Sequence, residues 1–371
     1  MVEALTRQAA RLNTNTRSLH DNIVEYAERL TGTLPEGLCV ASFGCSGSEA
    51  NSLMLRMARN YTGSDQAIVL DWAYHGTTQE LIDLSPYKYK RKAGKGRAAH
   101  VYEAVVPDSY YAPEHWPVEE HGKRFAESVA EQLDAMRKAG KKPAFFLAES
   151  IPSVAGQVFL PEHYLQEVYA MVRAEGGLCL ADEVQVGFGR VGSHWWAFET
   201  QGVVPDAVTM GKPIGNGHPM SAVVTTREVA DAFNNGMEYF NTFAGNPVSC
   251  AVGLAVLDAI ERDQLKENAL NVGNYLLDGF RKLQQQFDVI GDVRGLGLFL
   301  GIVLVTDRQS KVPATALARK VADGARERGV LIGTEGPHDN VLKMRPSMIF
   351  SRANADFLLE VLKDSFIAAL K

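Results

Sequence analysis

Short apolar segments alternate with segments of helical periodicity along the first 225 residues of the chain. The apolar segments carry apolar side chains on both faces, which is typical of strands buried in a parallel sheet with helices on either side. They occupy residues 38–43, 67–71, 144–149, 178–182, 207–210 and 221–225, with helical patterns up to Tyr61 and over 162–174. We therefore predict an α/β fold with a mainly parallel central sheet covered by helices.

After this region the pattern changes. Residues 246–281 are helical in pattern, and shorter strands and amphipathic helices follow at 298–305, 315–327, 341–344 and 354–370. With 371 residues and 46% hydrophobic composition, the chain can bury one large core and one smaller core. We predict a large domain over residues 1–285 and a smaller α+β domain over residues 286–371.

Polar residues end or follow three of the predicted strands. Ser46-Gly47-Ser48 follows the first strand, Asp182 ends the fourth, and Lys212 follows the fifth. Ligands in α/β folds bind outside the carboxyl ends of the strands, so these three distant segments are predicted to converge on one site.

The Ser46-Gly47-Ser48 turn opens a helical pattern, and such a junction suits a phosphate. The first N–H groups of a helix are unpaired and carry partial positive charge. Gly47 allows close backbone approach, and the two serines add hydroxyl groups. The alternative is a helix cap that binds no ligand.

Lys212 and Asp182 together suggest covalent chemistry on a cofactor that carries a carbonyl group. A neutral lysine amine can form a Schiff base and can later move a proton. Taken singly, Lys212 could be a solvated turn residue and the Asp182-Glu183 pair a helix cap. The phosphate-binding pattern favours the cofactor hypothesis.

Charge and hydropathy exclude several classes of partner. The chain has 38 Lys and Arg against 44 Asp and Glu, and this net charge of −6 opposes nucleic-acid binding as a main role. We interpret the one basic cluster, at 88–97, as a solvated loop. No apolar run reaches the roughly 20 residues that span a bilayer. We expect neither a nucleic-acid nor a membrane partner.

Cysteine and histidine spacing indicates the compartment and the absence of a metal. Four cysteines lack paired spacing and nine histidines lack ligand spacing, so we predict no metal site. The free thiols fit a reducing compartment, and the N-terminus shows no secretion pattern. We expect a cytoplasmic protein.

Five motifs resemble, in their order, those of the class III aminotransferases, which are pyridoxal-phosphate enzymes of fold type I. They are Ser46-Gly47-Ser48-Glu49-Ala50-Asn51, Tyr74-His75-Gly76, Asp182-Glu183-Val184-Gln185, Gly211-Lys212 and Thr242-Phe243-Ala244-Gly245-Asn246-Pro247. The resemblance covers essentially the whole chain. It implies pyridoxal 5'-phosphate as the cofactor and a homodimer with shared active sites.

The resemblance also implies roles for individual residues. Lys212 is expected to form the Schiff base, and Asp182 to pair with the pyridine nitrogen and raise its pKa by roughly 1–3 units. The expected cofactor contacts are Ser46, Gly47 and Ser48 at the phosphate, Tyr74 on the ring, His75, Glu149, Gln185 at the phenolic oxygen, and Thr242 at the neighbouring subunit's phosphate. Tyr74 could instead be a core aromatic residue, and Thr242 a helix cap.

The C-terminal segment departs from the aminotransferase pattern. Lys343 stands where the family commonly has an arginine for the substrate carboxylate, Arg345 follows two residues later, and Val154 replaces a gating glutamate of the ornithine-type enzymes. Lysine lacks the planar fork that binds a carboxylate through two hydrogen bonds. Residues 148–153, 242–250 and 336–343 instead resemble the phospho-lyase branch, whose members act on ethanolamine phosphate or 5-phosphohydroxylysine.

We therefore predict elimination of phosphate from ethanolamine phosphate, with acetaldehyde and ammonia as the other products. Lys343 and Arg345 are the candidate substrate-binding residues, although both could be surface charges at a strand edge. The alternatives are 5-phosphohydroxylysine as the substrate, or an amine or ω-amino-acid transaminase. A non-catalytic sensor is disfavoured because no basic helix-turn-helix pattern precedes Leu38.

Related enzymes begin with a further stretch that helps close the site entrance, and we expect that family segment to be absent from this chain.

Overall fold

The computed structural model describes all 371 residues, and a seven-stranded sheet forms its centre. The strands are β1 (Leu38–Gly44), β2 (Gln66–Leu70), β3 (Val101–Ala104), β4 (Pro143–Glu149), β5 (Leu178–Asp182), β6 (Ala207–Met210) and β7 (Ser221–Thr226). Their spatial order is β1-β7-β6-β5-β4-β2-β3. Only β7 runs antiparallel to its neighbours, so the predicted mainly parallel sheet is confirmed.

Helices cover both faces of this sheet. The helices of this region are α1 (Val2–Arg11), α2 (Asp21–Thr31), α3 (Gly47–Thr62), α4 (Gln79–Asp83), α5 (Pro86–Tyr89), α6 (His121–Lys138), α7 (Tyr164–Ala174), α8 (Arg227–Phe233) and α9 (Pro247–Arg262), and α1 packs on α9. In β4, Phe145 and Leu147 pack in the same core as α3, whereas Phe146 and Ala148 pack in the core of α6 and α7. Alternate residues of a strand point to opposite faces, so a strand buried on both faces reads as a continuous apolar run.

A second, smaller sheet follows. It contains β8 (Ile290–Leu296), β9 (Phe299–Leu304), β10 (Gly333–Glu335) and β11 (Val341–Met344), all antiparallel in the order β10-β11-β9-β8. Three helices pack with it: α10 (Leu265–Gln286), α11 (Thr315–Glu327) and α12 (Arg352–Ala369). Leu276 and Phe280 of α10 lie in the core of this sheet, while the domain boundary near residue 285 stays a prediction. None of the chain's helices is both long and apolar enough to cross a membrane.

Candidate active site

The carboxyl ends of β4, β5 and β6 meet at one edge of the large sheet. Glu149 and Asp182 are the last residues of β4 and β5 and are register partners, and Asp182 is in turn paired with Thr209 of β6. Lys212 follows two residues after β6. A cavity of about 180 Å³ lies here, lined by Gly47, Ser48, Asn51, Tyr74, His75, Gly76, Glu149, Asp182, Val184, Gln185 and Lys212. Eight of the predicted site residues are therefore brought together.

One side of the cavity is the first turn of α3. Helix α3 begins at Gly47, where an added Cβ would lie 2.9 Å from a methyl carbon of Val184. Gly76 has a φ of +145°, and an added Cβ would lie 2.7 Å from the hydroxyl of Ser48. That hydroxyl accepts a hydrogen bond from the Thr77 N–H at 3.1 Å. Glycines at both close approaches leave backbone N–H groups accessible, which suits an anion.

Ser46 lies outside this cavity. It caps α3: its side chain is exposed in the turn, and its Oγ accepts a hydrogen bond from the Glu49 N–H at 3.2 Å. Its predicted contact with a phosphate stays a prediction.

Asp182 is 4% exposed and is held through both of its oxygens. Asn51 donates to Oδ2 at 2.9 Å, His75 Nδ1 lies 2.9 Å from the same oxygen, and the Val184 N–H donates to Oδ1 at 3.1 Å. His75 Nε2 is buried without a hydrogen-bond partner. An oriented carboxylate beside an unpartnered ring nitrogen is typical of a site for a polar ligand.

Lys212 joins the cavity to a larger groove of about 780 Å³. Its φ of 34° lies in the left-handed region, which costs a non-glycine residue on the order of 1 kcal/mol and occurs often at functional sites. Lys212 and Gln185 line both spaces, so this lysine lies where the cavity and the groove meet.

Two arginines line the groove without a carboxylate partner. Arg190 donates to two backbone carbonyl oxygens at 3.1 and 2.9 Å, and Arg345 is exposed nearby. Burial, with a smaller contribution from Arg345, lowers the pKa of Arg190 to about 10. The carboxylates that line the groove are paired with other arginines, namely Glu3 with Arg7, Asp258 with Arg29 and Asp263 with Arg262. The region around Arg190 and Arg345 is therefore positively charged.

Lys343 and Thr242 lie outside both spaces. Lys343 is buried on β11, its Nζ lies 3.2 Å from Glu335 Oε1, and burial lowers the pKa of its amine. Thr242 is exposed on the segment between α8 and α9. The roles predicted for both residues stay predictions.

Similarity to known proteins agrees with this geometry. The sequence model of the aminotransferase class-III family matches residues 1–366. The chain belongs to the class III aminotransferase family. It is accordingly a pyridoxal-phosphate enzyme, and its fold is type I of that group, as the sequence predicted.

The similar proteins in the class III family are named after two different activities, amine transfer and phosphate elimination. An alanine–glyoxylate aminotransferase 2-like protein of Drosophila melanogaster is 46% identical over all of this chain and 76% of its own length. The ethanolamine-phosphate phospho-lyase homolog 1 of Caenorhabditis elegans is 39% identical over 95% of this chain and 78% of its own. A phospholyase from Arthrobacter, solved in complex with phosphoethanolamine, is 41% identical with a TM-score of 0.94, covering 99% of this chain and 86% of that one.

The cavity fits the cofactor of the class III family. The α3 N-terminus suits its phosphate, the buried Asp182 suits a pyridinium nitrogen, and Lys212 is the one primary amine that lines the space. Tyr74 supplies a half-buried aromatic ring. The chemistry of these groups therefore matches the phosphate, the ring nitrogen and the carbonyl group of pyridoxal phosphate.

Among the residues that were not predicted as part of the site, three matter most for its chemistry: Asn51, Thr209 and Arg190. Asn51 ends the motif that begins at Ser46. It lies about one helical turn after Gly47, so the two residues share one face of α3. Thr209 is next to Asp182 only through strand pairing, and Arg190 reaches the groove only through the tertiary fold. Only Asn51 had a signal that could have identified it.

The buried carboxyl group of Glu149 makes the stability of the folded protein depend on pH. Burial, and then the charge of Asp182, raises the pKa of Glu149 from 4.5 to about 7. Between these values the unfolded chain loses the proton while the folded chain keeps it, so folding weakens as pH rises through this window.

We expect Glu149→Gln to gain unfolding free energy relative to the wild type as pH rises from about 5 to about 8, by on the order of 2–4 kcal/mol. Urea unfolding of the cofactor-free proteins at both pH values measures this. Glutamine keeps one acceptor oxygen, so one of the Tyr74 and Ser153 N–H groups loses its side-chain partner, and this loss is present at both pH values and cancels in the comparison. Parallel pH profiles for the two proteins would contradict the assignment.

Proposed function

We propose that the enzyme is a phospho-lyase that eliminates inorganic phosphate from a small phosphorylated primary amine, ethanolamine phosphate first among them. The observation that carries this proposal is the pair of guanidinium groups, Arg190 and Arg345, which lack carboxylate partners in the groove that also reaches Lys212. A phosphate dianion suits two positive charges better than one. The 41% identical phospholyase with bound phosphoethanolamine supports the same substrate class.

Pyridoxal phosphate, when bound, supplies an electron sink that makes the hydrogen on the amine-bearing carbon acidic. The chain's residues then have separate tasks. Gly47 and Ser48 would bind the cofactor phosphate, Asp182 would keep the ring nitrogen protonated, and Lys212 would hold the cofactor. The neutral Lys212 amine would also be the group that takes the proton from the substrate carbon.

Loss of that proton allows the carbon–oxygen bond to the phosphate group to break. The electron pair of the broken C–H bond forms a carbon–carbon double bond, and the phosphate leaves with the electrons of the C–O bond. Addition of one water molecule then yields acetaldehyde and ammonia. Arg345, supported by Arg190, holds the phosphate and stabilises the charge that develops on it.

Amine transfer to a keto acid is the second candidate. The 46% identical relative named as an alanine–glyoxylate aminotransferase 2-like protein favours it, since Arg345 could equally bind a carboxylate. The two activities differ in whether a keto acid is required.

The decisive experiment incubates the holoenzyme with ethanolamine phosphate and no keto acid. We expect phosphate, ammonia and acetaldehyde in equal amounts over many turnovers. Amine transfer that requires a keto acid, with no phosphate released in its absence, would refute the proposal. 5-Phosphohydroxylysine, tested in parallel, decides between the two phosphorylated substrates by kcat/KM.

Arg345→Gln tests the binding of the substrate phosphate. A charge-assisted hydrogen bond contributes roughly 1.5–3 kcal/mol, so we expect kcat/KM for ethanolamine phosphate to fall roughly 10- to 150-fold. The matched control is Arg326→Gln, which removes an exposed arginine of α11 that lines neither space. Equal kcat/KM values in the two variants would exclude Arg345 from substrate binding.

We further propose a homodimer in which Thr242 reaches the phosphate of the neighbouring subunit. Its exposed position, beside Phe243 with 70% of its surface exposed, supports this proposal. Mixed dimers of one Thr242→Ala chain and one Lys212→Ala chain test this proposal. If Thr242 reaches the neighbouring site, one of the two sites keeps both residues, and the mixed dimer is active. If each site takes both residues from one chain, every site lacks one of them, and the mixed dimer gains no activity.

A further inference from the structure

Asn51 contacts three segments that meet at the cavity. It is the fifth residue of α3, and it is 1% exposed. Its Nδ2 donates to the backbone oxygen of His75 at 2.7 Å and to Asp182 Oδ2 at 2.9 Å, while its Oδ1 accepts from the Thr209 hydroxyl at 2.6 Å. One amide therefore connects the helix at the phosphate end, the loop that carries Tyr74 and His75, and the ends of β5 and β6.

The neighbours of this amide permit only one orientation. Both groups facing Nδ2 are acceptors, a carbonyl and a carboxylate oxygen. A rotated amide would bring Oδ1 against two acceptors in a buried space, which is strongly unfavourable. The Thr209 hydroxyl donates to Oδ1 and thereby favours the orientation that bonds Asp182.

Strand register explains why Thr209 serves this purpose. Asp182 and Thr209 are paired residues on adjacent parallel strands, so their side chains lie side by side on the face covered by α3. Thr209 is completely buried, and Asn51 is the one side chain to which its hydroxyl bonds.

We propose that Asn51 is a positioning residue for the cofactor, which orients the Asp182 carboxylate, and that Thr209 fixes the orientation of Asn51. The proposal deepens the proposed function: it rests on Asp182 as the partner of the ring nitrogen, and it holds whether phosphate elimination or amine transfer follows. Thr209 lines neither the cavity nor the groove, and Asn51 lines the cavity but bonds Asp182, so we assign both residues an effect that acts through Asp182.

Thr209→Val and Thr209→Ser test the proposal in the holoenzyme. Valine keeps the shape and loses the hydroxyl, whereas serine keeps the hydroxyl. We expect Thr209→Val to weaken pyridoxal-phosphate binding roughly tenfold, and Asn51→Leu to weaken it roughly ten- to a hundredfold. The pH at which the visible band of the bound cofactor changes should shift by roughly 0.5–1.5 units in both variants, because the carboxylate is less well oriented. Thr209→Ser should restore the wild-type titration.

Thr225→Val is the matched control. Thr225 is a buried strand threonine of β7, and its hydroxyl donates to the backbone oxygen of Asp206 at 2.7 Å, outside the cavity. It should change the unfolding temperature and leave both cofactor measurements at the wild-type values.

The outcomes separate the two proposals. If Thr209→Val binds and titrates the cofactor as the wild type does, or if Thr209→Ser behaves like Thr209→Val, the positioning role is wrong. The comparison of Thr209→Val with Thr209→Ser tests the positioning role even if Asn51→Leu does not fold. If the wild type releases no phosphate, the proposed function is wrong. The test of the positioning role still stands in that case, because it measures cofactor binding and the cofactor spectrum.

Discussion

Lys212→Ala is expected to lower the rate of product formation at least roughly 10³-fold and to abolish the visible band of the covalently held cofactor. Lys212 is the one primary amine that lines the cavity, and it lies where the cavity opens into the groove. In the proposed mechanism, a single substitution therefore removes both the covalent attachment and the group that moves the substrate proton. Absorption spectra of the purified protein and single-turnover release of phosphate measure the two losses separately.

The matched control is Lys320→Ala, which removes an exposed lysine of α11 and should leave spectrum and rate unchanged. Lys212→Arg adds a second comparison, because arginine keeps the positive charge but stays protonated and cannot form a Schiff base. A small primary amine added to Lys212→Ala should restore part of the proton transfer and none of the covalent attachment. An unchanged band and rate in Lys212→Ala would refute the assignment of the site.

The fold was predictable where strands are buried on both faces. The predicted segments 178–182 and 207–210 coincide with β5 and β6, because the apolar run of β5 ends at Asp182 and the mostly apolar run of β6 ends at Met210, just before Gly211. Strand β3 lay outside the predicted elements. This strand has only four residues and lies at the edge of the sheet. It contains Glu103, which accepts a hydrogen bond from the Tyr89 hydroxyl, so its sequence has no uninterrupted apolar run that would predict a strand.

The site was predictable where a residue stands at the end of a strand or at the start of a helix. Asp182, Lys212 and Gly47 satisfy that condition, since topology alone brings such positions together. Arg190 does not, because it reaches the groove only after the segment following β5 packs against the small sheet and donates to Leu298. Thr209 reads as an ordinary strand residue, because its polar neighbours Asp182 and Asn51 reach it only through strand pairing and the packing of α3 on the sheet.

Asp182→Asn is expected to reduce kcat roughly 10- to 1,000-fold while the variant still binds the cofactor. The carboxylate stabilises a protonated ring nitrogen by about 1–3 pKa units, and a neutral amide forfeits that gain. Both oxygens of Asp182 accept hydrogen bonds, so the amide nitrogen of an asparagine would face a donor in either orientation. Steady-state kinetics and a pH titration of the visible band measure the two consequences.

Asp206→Asn separates this effect from the general loss of a carboxylate beside the large sheet, since Asp206 lies just before β6. Asp206 accepts a hydrogen bond from the Cys179 N–H at 2.7 Å and pairs with Arg173 at 3.1 Å, and it lies outside the cavity. Its substitution should lower stability without shifting the cofactor titration. If Asp182→Asn titrates and turns over like Asp206→Asn, the ring nitrogen has another partner. If only Asp182→Asn loses kcat and shifts the titration, Asp182 tunes the cofactor, because each of the two substitutions removes one carboxylate charge, at the end of β5 or just before β6.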